Sequence, residues 1–190
     1  MSEKGNFQLI RGQSLVADEW QVILGDGVDV AGRANGVSSA PTGADAKLPL
    51  LPLQMWVEQR QELLARKATT GARLGVWLEP TDDPCILADD LASLDLVAVH
   101  FPKFVDGRGY STASLLRQRY GYPGELRAFG DVGRDQLFYL ARVGFDSFLI
   151  PAGRDAAAAL GSLDDFPESY QSAVDQAIPL FRRRESQPVA

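Results

Sequence analysis

At 190 residues the chain has room for one sizeable core, and 45% hydrophobic with 23% charged residues is an ordinary globular balance that excludes wholesale disorder. A net charge of −6 argues against a general binder of nucleic acid or of anionic membrane, and a lone cysteine, Cys85, excludes an internal disulfide, a cysteine-held iron–sulfur cluster and a cysteine zinc site. No apolar run reaches bilayer length and residues 1–6 carry no signal-peptide core, so a cytoplasmic protein is expected.

Residues 7–10, 15–16 and 20–24 are short strand-like runs broken by turn residues, and they predict a small antiparallel β flap. Residues 25–47 are rich in Gly, Ala, Ser, Asp and Pro and read as a flexible linker, so residues 1–47 form flap plus linker. Pro49 and Pro52 give an extended lead-in to a helix over residues 55–67, whose apolar face includes Met55, Trp56, Leu63 and Leu64; Gly71 marks its stop.

From residue 74 the pattern alternates. Strands are expected at 74–78, 94–99, 125–129 and 145–150, with helices at 84–91, 111–120 and 133–143 between them and a last helix at 167–183 kinked by Pro179. Crossovers of this length require parallel neighbours, so residues 48–184 predict an α/β domain of four βα units with a parallel sheet, either half of a TIM-like barrel or an open sheet. A homodimer completing such a barrel is a further option, and residues 185–190 should fray.

The strand ends then share one layer, and ligands of parallel sheets bind at that end. Glu79 follows the first strand, His100 to Lys103 the second, Asp131 the third and Arg154 the fourth. The loop after the second strand is the richest. Gly107 and Gly109 can bring backbone N–H groups close to an anion, a helix opening near Ser111 adds a partial positive charge, and Lys103, Arg108 and Arg154 supply cations. Asp106 and Asp131 are candidate proton-transfer groups, with Lys103 as acid or electrostatic stabiliser. The plainer reading is a tight turn in which Asp106 pairs with Arg108 and Asp131 caps the next helix, while His100, Glu79 and Cys85 serve structure. No metal site is expected.

The run FPKFVDGRGYSTASLLRQRYGYPGELRAFGDVGRDQLFYLARVGFDSF, preceded by LPLQMWVEQRQELLAR and LGVWLEPTDDP, resembles the bacterial domain-of-unknown-function family 934 over most of residues 48–150. Its motif falls on Phe101, Pro102, Phe104, Asp106, Gly107, Arg108, Gly109, Tyr110, Ser111, Arg117, Arg127, Gly130, Asp131 and Asp135; the family pattern usually carries another residue at position 100, which sets His100 apart. Members are described as probable oxidoreductases of sulfite reduction and look like companions of assimilatory sulfite reductase. The resemblance therefore implies an accessory protein that supports sulfite reductase in assembly, cofactor loading or electron delivery. No intrinsic cofactor is evident, and sirohaem and an iron–sulfur cluster would belong to the partner. An enzyme acting on a small anion and a non-catalytic interaction module are the alternatives.

Overall fold

The structure, a computed structural model, describes residues 7–24 and 47–185; most of the expected linker and all but the first residue of the expected tail lie outside them. Eight strands form one open, curled sheet, a half-barrel, in the order β2-β1-β8-β7-β6-β5-β4-β3. The strands are β1 (Gln8–Arg11), β2 (Ser14–Val16), β3 (Trp20–Val22), β4 (Leu48–Pro52), β5 (Gly75–Leu78), β6 (Leu96–Phe101), β7 (Glu125–Gly130) and β8 (Ser147–Ile150). From β3 to β8 every neighbouring pair is parallel and consecutive, the strand order of a barrel.

Four strands extend the expected four-strand sheet. β1 and β2 make the antiparallel flap, and β1 lies antiparallel along β8. The third N-terminal run does not stay with that hairpin: β3 runs parallel to β4 at the opposite edge. The Pro49–Pro52 lead-in is itself strand β4, because Leu50 is buried on the concave face and Leu51 on the helix face, and burial on both faces is what a central parallel strand demands.

Helix α1 (Leu53–Thr70) ends at Gly71, whose φ of 69° is the left-handed conformation glycine adopts without a Cβ penalty. Residues 84–91, expected as one helix, are instead broken into 3-10 turns at Pro84–Leu87 and Leu91–Ser93, the first capped by Asp83. Helix α2 (Arg108–Ser114) continues through a π turn at Leu115–Arg119, so it starts three residues before Ser111. A 3-10 turn at Arg134–Gln136 leads into α3 (Leu137–Arg142), and α4 (Ala156–Leu160), capped by Asp155, follows β8. Of the long helix expected at 167–183 only α5 (Leu180–Glu185) forms. Tyr170, Ile178 and Phe181 share helical spacing but stay exposed, so there was no buried stripe to drive helix formation between Pro167 and Pro179. Among the described residues no helix is long and apolar enough to cross a membrane.

The helices cover one face of the sheet. Trp56, Leu63, Ala113, Leu116, Leu137 and Ala156 pack there against Val76, Val97, Val99, Ala128 and Phe148. The concave face holds a second cluster of Leu9, Trp20, Leu50, Trp77, Leu96, Ala98, Phe129 and Leu149. At its amino-terminal end the fully buried Arg127 is gripped by Asp18 at 2.7 Å and by Glu125 at 2.7 Å, while Ser147 donates to Glu125 and Arg11 pairs with it at 2.8 Å. Asp18 lies between β2 and β3, so the connection linking the two edges of the sheet runs beneath the curl. Glu19 of the same connection pairs with Arg73, just before β5.

Candidate functional site at the strand ends

Parallel register places Leu78, Phe101, Gly130 and Ile150 on one rim, and the segments that follow them carry the residues singled out in the sequence. Within the loop after β6, Asp106 and Arg108 face each other. Arg108 donates Nε to Oδ1 at 2.9 Å and Nη2 to Oδ2 at 2.6 Å, and its backbone N–H also donates to Oδ1 at 3.2 Å. The anion at the opening of α2 is thus the protein's own carboxylate, held ionised by Arg108 with its pKa lowered to about 2.

Asp131 makes a second pairing, with Arg154 at 2.5 Å, and its other oxygen accepts the backbone N–H of Phe104 at 2.9 Å. The Arg154 guanidinium and the Phe104 amide hold the Asp131 carboxyl below its ordinary range. Arg154 also donates to the carbonyl of Val132. Gln136 completes the arrangement: its Nε2 donates to the Phe104 carbonyl at 3.0 Å, and its Oε1 accepts from the Gly133 N–H at 2.9 Å. Phe104 therefore has both backbone groups tied to side chains of the next strand end, while its ring is 46% exposed and Val105 beside it is 84% exposed.

The remaining predicted residues fall as follows. Lys103 is exposed, and its ammonium has no hydrogen-bond or ion-pair partner among the described residues. Gly107 opens α2 with open space at its Cα. Gly109 is buried, and a Cβ there would lie 2.5 Å from the Phe101 ring, so its smallness lets α2 cross β6 closely. Ser111 sits one turn inside α2 and is exposed, away from the helix opening. The structure thus gathers Asp106 with Arg108, and Asp131 with Arg154 and Phe104; it does not bring Ser111 or Gly109 to a common point with them.

A family model described as a bacterial protein of unknown function, DUF934, matches residues 75–181, more than half of the chain. The chain belongs to this family. A search of curated proteins finds no relative. The DUF934 span runs from β5 through the first residues of α5, so it contains the whole rim, both Arg–Asp pairs and Gln136, and leaves the flap and α1 outside.

One pair within the DUF934 span was not assembled from the sequence. Glu79 Oε2 lies 3.0 Å from Nδ1 of His100. The signal was present in the register: Leu78 pairs with Val99, and alternation puts Trp77 and Glu79 on the same side as Ala98 and His100. Taken one residue at a time, each of the two reads as structural.

Proposed function

We propose that this protein is a non-catalytic, cytoplasmic companion of assimilatory sulfite reductase that engages its partner through the strand-end rim, with residues 102–107 at the centre of contact. The carrying observation is Phe104: its N–H and C=O are both gripped by side chains, yet its ring and Val105 are turned to solvent. Rigid presentation of an apolar tip lowers the ordering cost of binding, and aromatic and arginine groups are the ones enriched at protein interfaces. Lys103 beside the tip adds a cation not offset by a carboxylate, whereas Arg108 and Arg154 are offset by Asp106 and Asp131, and this charge suits an acidic group on the partner. Sirohaem and the iron–sulfur cluster reside in the partner on this reading, and the tie to sulfite reduction rests on the family likeness. A dimer completing the barrel is not part of it, because the concave face is already filled by Trp20, Trp77, Phe129 and Leu149.

Proton transfer by Asp106 or Asp131, with Lys103 and Arg108 clamping an anion, has less support. Carboxylates held by arginines below their ordinary pKa are poor bases near neutral pH. The test is binding of purified sulfite reductase to the wild type and to a Phe104→Ser, Val105→Asp double variant, alongside growth of a deletion strain. Binding weakened at least about tenfold by the variant, equivalent to roughly 1.4 kcal/mol, and growth restored only by sulfide or cysteine support the proposal. Equal affinity of the two proteins, or undiminished growth of the deletion strain on sulfate, rejects it.

A further inference from the structure

A second concavity lies apart from the docking tip. A cleft of about 790 Å³ opens between helices α2 and α3 on one side and residues 166–173 on the other, and none of residues 102–107 lines it. Its walls are rings: Tyr110, Phe138 and Tyr139 from the helices, Phe166 and Tyr170 from the segment facing them. The walls meet where the Phe138 and Phe166 centroids come within 4.9 Å, while Tyr139, Phe166 and Tyr170 are each more than half exposed.

The facing segment has no helix or strand, yet it is fastened along its length. Arg142 Nη2 donates to the Gln171 carbonyl at 2.5 Å, and the Arg142 carbonyl accepts the Val174 N–H at 3.0 Å. Arg183 donates to the Ser169 carbonyl at 3.1 Å and pairs with Glu168 at 2.9 Å, and the Leu180 N–H donates to the Tyr170 carbonyl at 3.1 Å. The cleft is therefore preformed, and its volume falls in the range of about 300–1,000 Å³ that small-molecule sites occupy.

Charge selects the ligand. Glu168 and Arg142 both line the cleft, and they are not equally satisfied. Glu168 is exposed and has the Arg183 guanidinium at 2.9 Å. The Arg142 side chain is only 12% exposed; its carboxylate neighbour, Asp175, stands 3.8 Å from Nε, too far for a hydrogen bond, and Nη1 donates to nothing among the described residues. A largely buried guanidinium with unused donors favours an anion. Tyr110 adds a neutral donor: its hydroxyl has no hydrogen-bond partner among the described residues, and burial raises its pKa, which keeps the proton in place.

We propose that the cleft between α3 and residues 166–173 binds a planar aromatic acid, its ring lying between the two aromatic walls and its carboxylate meeting Arg142. The site shares no residue with the docking tip, so either can fail without the other.

The test uses the full chain and three probes of similar size: 2-naphthoate, its saturated counterpart decahydro-2-naphthoate, and the cation 2-naphthylmethylammonium, each titrated by calorimetry at neutral pH. 2-Naphthoate should bind one to one and saturate near or below about 1 mM, the affinity that ordinary ligand efficiency gives a molecule of this size. The saturated acid should bind roughly twofold to tenfold more weakly for want of ring contacts, and the ammonium at least about tenfold more weakly because it meets Arg142. Intermolecular NOEs should join the naphthoate ring to the rings of Tyr139 and Tyr170. Tyr139→Ala and Tyr170→Ala, which remove exposed rings, should each weaken binding severalfold, and Arg142→Gln should erase the preference for the acid over the ammonium. Ile86→Ser, at an exposed apolar side chain outside the cleft, should change nothing. No saturable binding of 2-naphthoate, NOEs to another face of the protein, equal affinity for the saturated acid, or an ammonium bound as tightly as the acid overturns the proposal, and each is read on the wild type.

Discussion

The guanidinium of Arg127 meets the carboxylate of Asp18 at 2.7 Å inside the curled sheet, across 109 residues of chain. This contact ties the connection between the two sheet edges to the middle of β7. Together with the β1–β8 ladder and the Arg11–Glu125 pair, it couples the N-terminal strands, which lie outside the span shared with DUF934, to the α/β units within it.

Removing Arg127 should therefore be costly in a way that removing a surface arginine is not. Arg127→Ala leaves the largely buried Asp18 without its cation and Glu125 with Arg11 alone, a loss of about 3–5 kcal/mol for a broken buried pair. Urea unfolding at neutral pH measures it. Arg127→Met combined with Glu125→Gln and Asp18→Asn should recover a large part of the loss, because no buried charge is then left alone.

Gly109 and Gly107 offer a contrast within one motif. Gly109→Ala drives a Cβ to 2.5 Å from the Phe101 ring and should destabilise by about 1–3 kcal/mol, the usual cost of overpacking. Gly107→Ala meets nothing within 4 Å at a φ of −85°, and should be neutral or stabilising by up to about 1 kcal/mol through the unfolded chain. Thermal unfolding of the two single variants separates them; equal losses would contradict the packing role of Gly109.

Much of the rim was legible in the sequence because it depends on features that a linear reading captures. Strands β5 to β8 carry apolar runs, and parallel crossovers oblige their ends to share one edge, so Glu79, Asp131 and Arg154 follow from the alternation alone. Asp106 and Arg108 are two residues apart, and their pairing is a local matter. Contacts across strands were harder. Glu79 with His100, and Asp131 with the Phe104 amide, depend on register and on the path of a loop, and Gln136 has no motif to announce it. The helix expected to open near Ser111 begins three residues earlier, at Arg108, because Asp106 and Gly107 already turn the chain into α2. Strand β4 was hidden by its prolines, which count against a sheet interior until burial on both faces outweighs them.

Asp131 should control the mobility of the loop after β6 rather than the stability of the domain. Asp131→Ala removes the acceptor for the Phe104 N–H and the partner of Arg154 together. Hydrogen exchange at the Phe104 amide should speed up by roughly tenfold or more as that bond is lost, while the unfolding midpoint moves little because the Arg154 pair is exposed. Gln136→Ala should loosen the same loop from its carbonyl side, with a larger effect on stability, since Gln136 is buried and the Gly133 N–H would lose its acceptor. Unchanged exchange at Phe104 in Asp131→Ala would remove the rigid presentation on which docking depends.

Acid should undo the rim before it unfolds the core. Both Asp106 and Asp131 have folded pKa values below the ordinary aspartate value near 3.9, Asp106 at about 2, because Arg108 and Arg154 favour their charged forms. A carboxyl with a depressed folded pKa binds its proton more weakly in the native state than in the unfolded chain. Its contribution is complete above the unfolded value and is lost as pH falls through the folded one. The window is therefore about pH 4 down to 2, and the loss should shrink in high salt, which screens exposed pairs and lessens the shift. Amide chemical shifts of Phe104 and Arg108 should move together through this window in the wild type. In Asp106→Asn the Arg108 signal should stop responding to acid while Phe104, held by Asp131, continues to do so; loss of both responses would mean that the two pairs act as one unit.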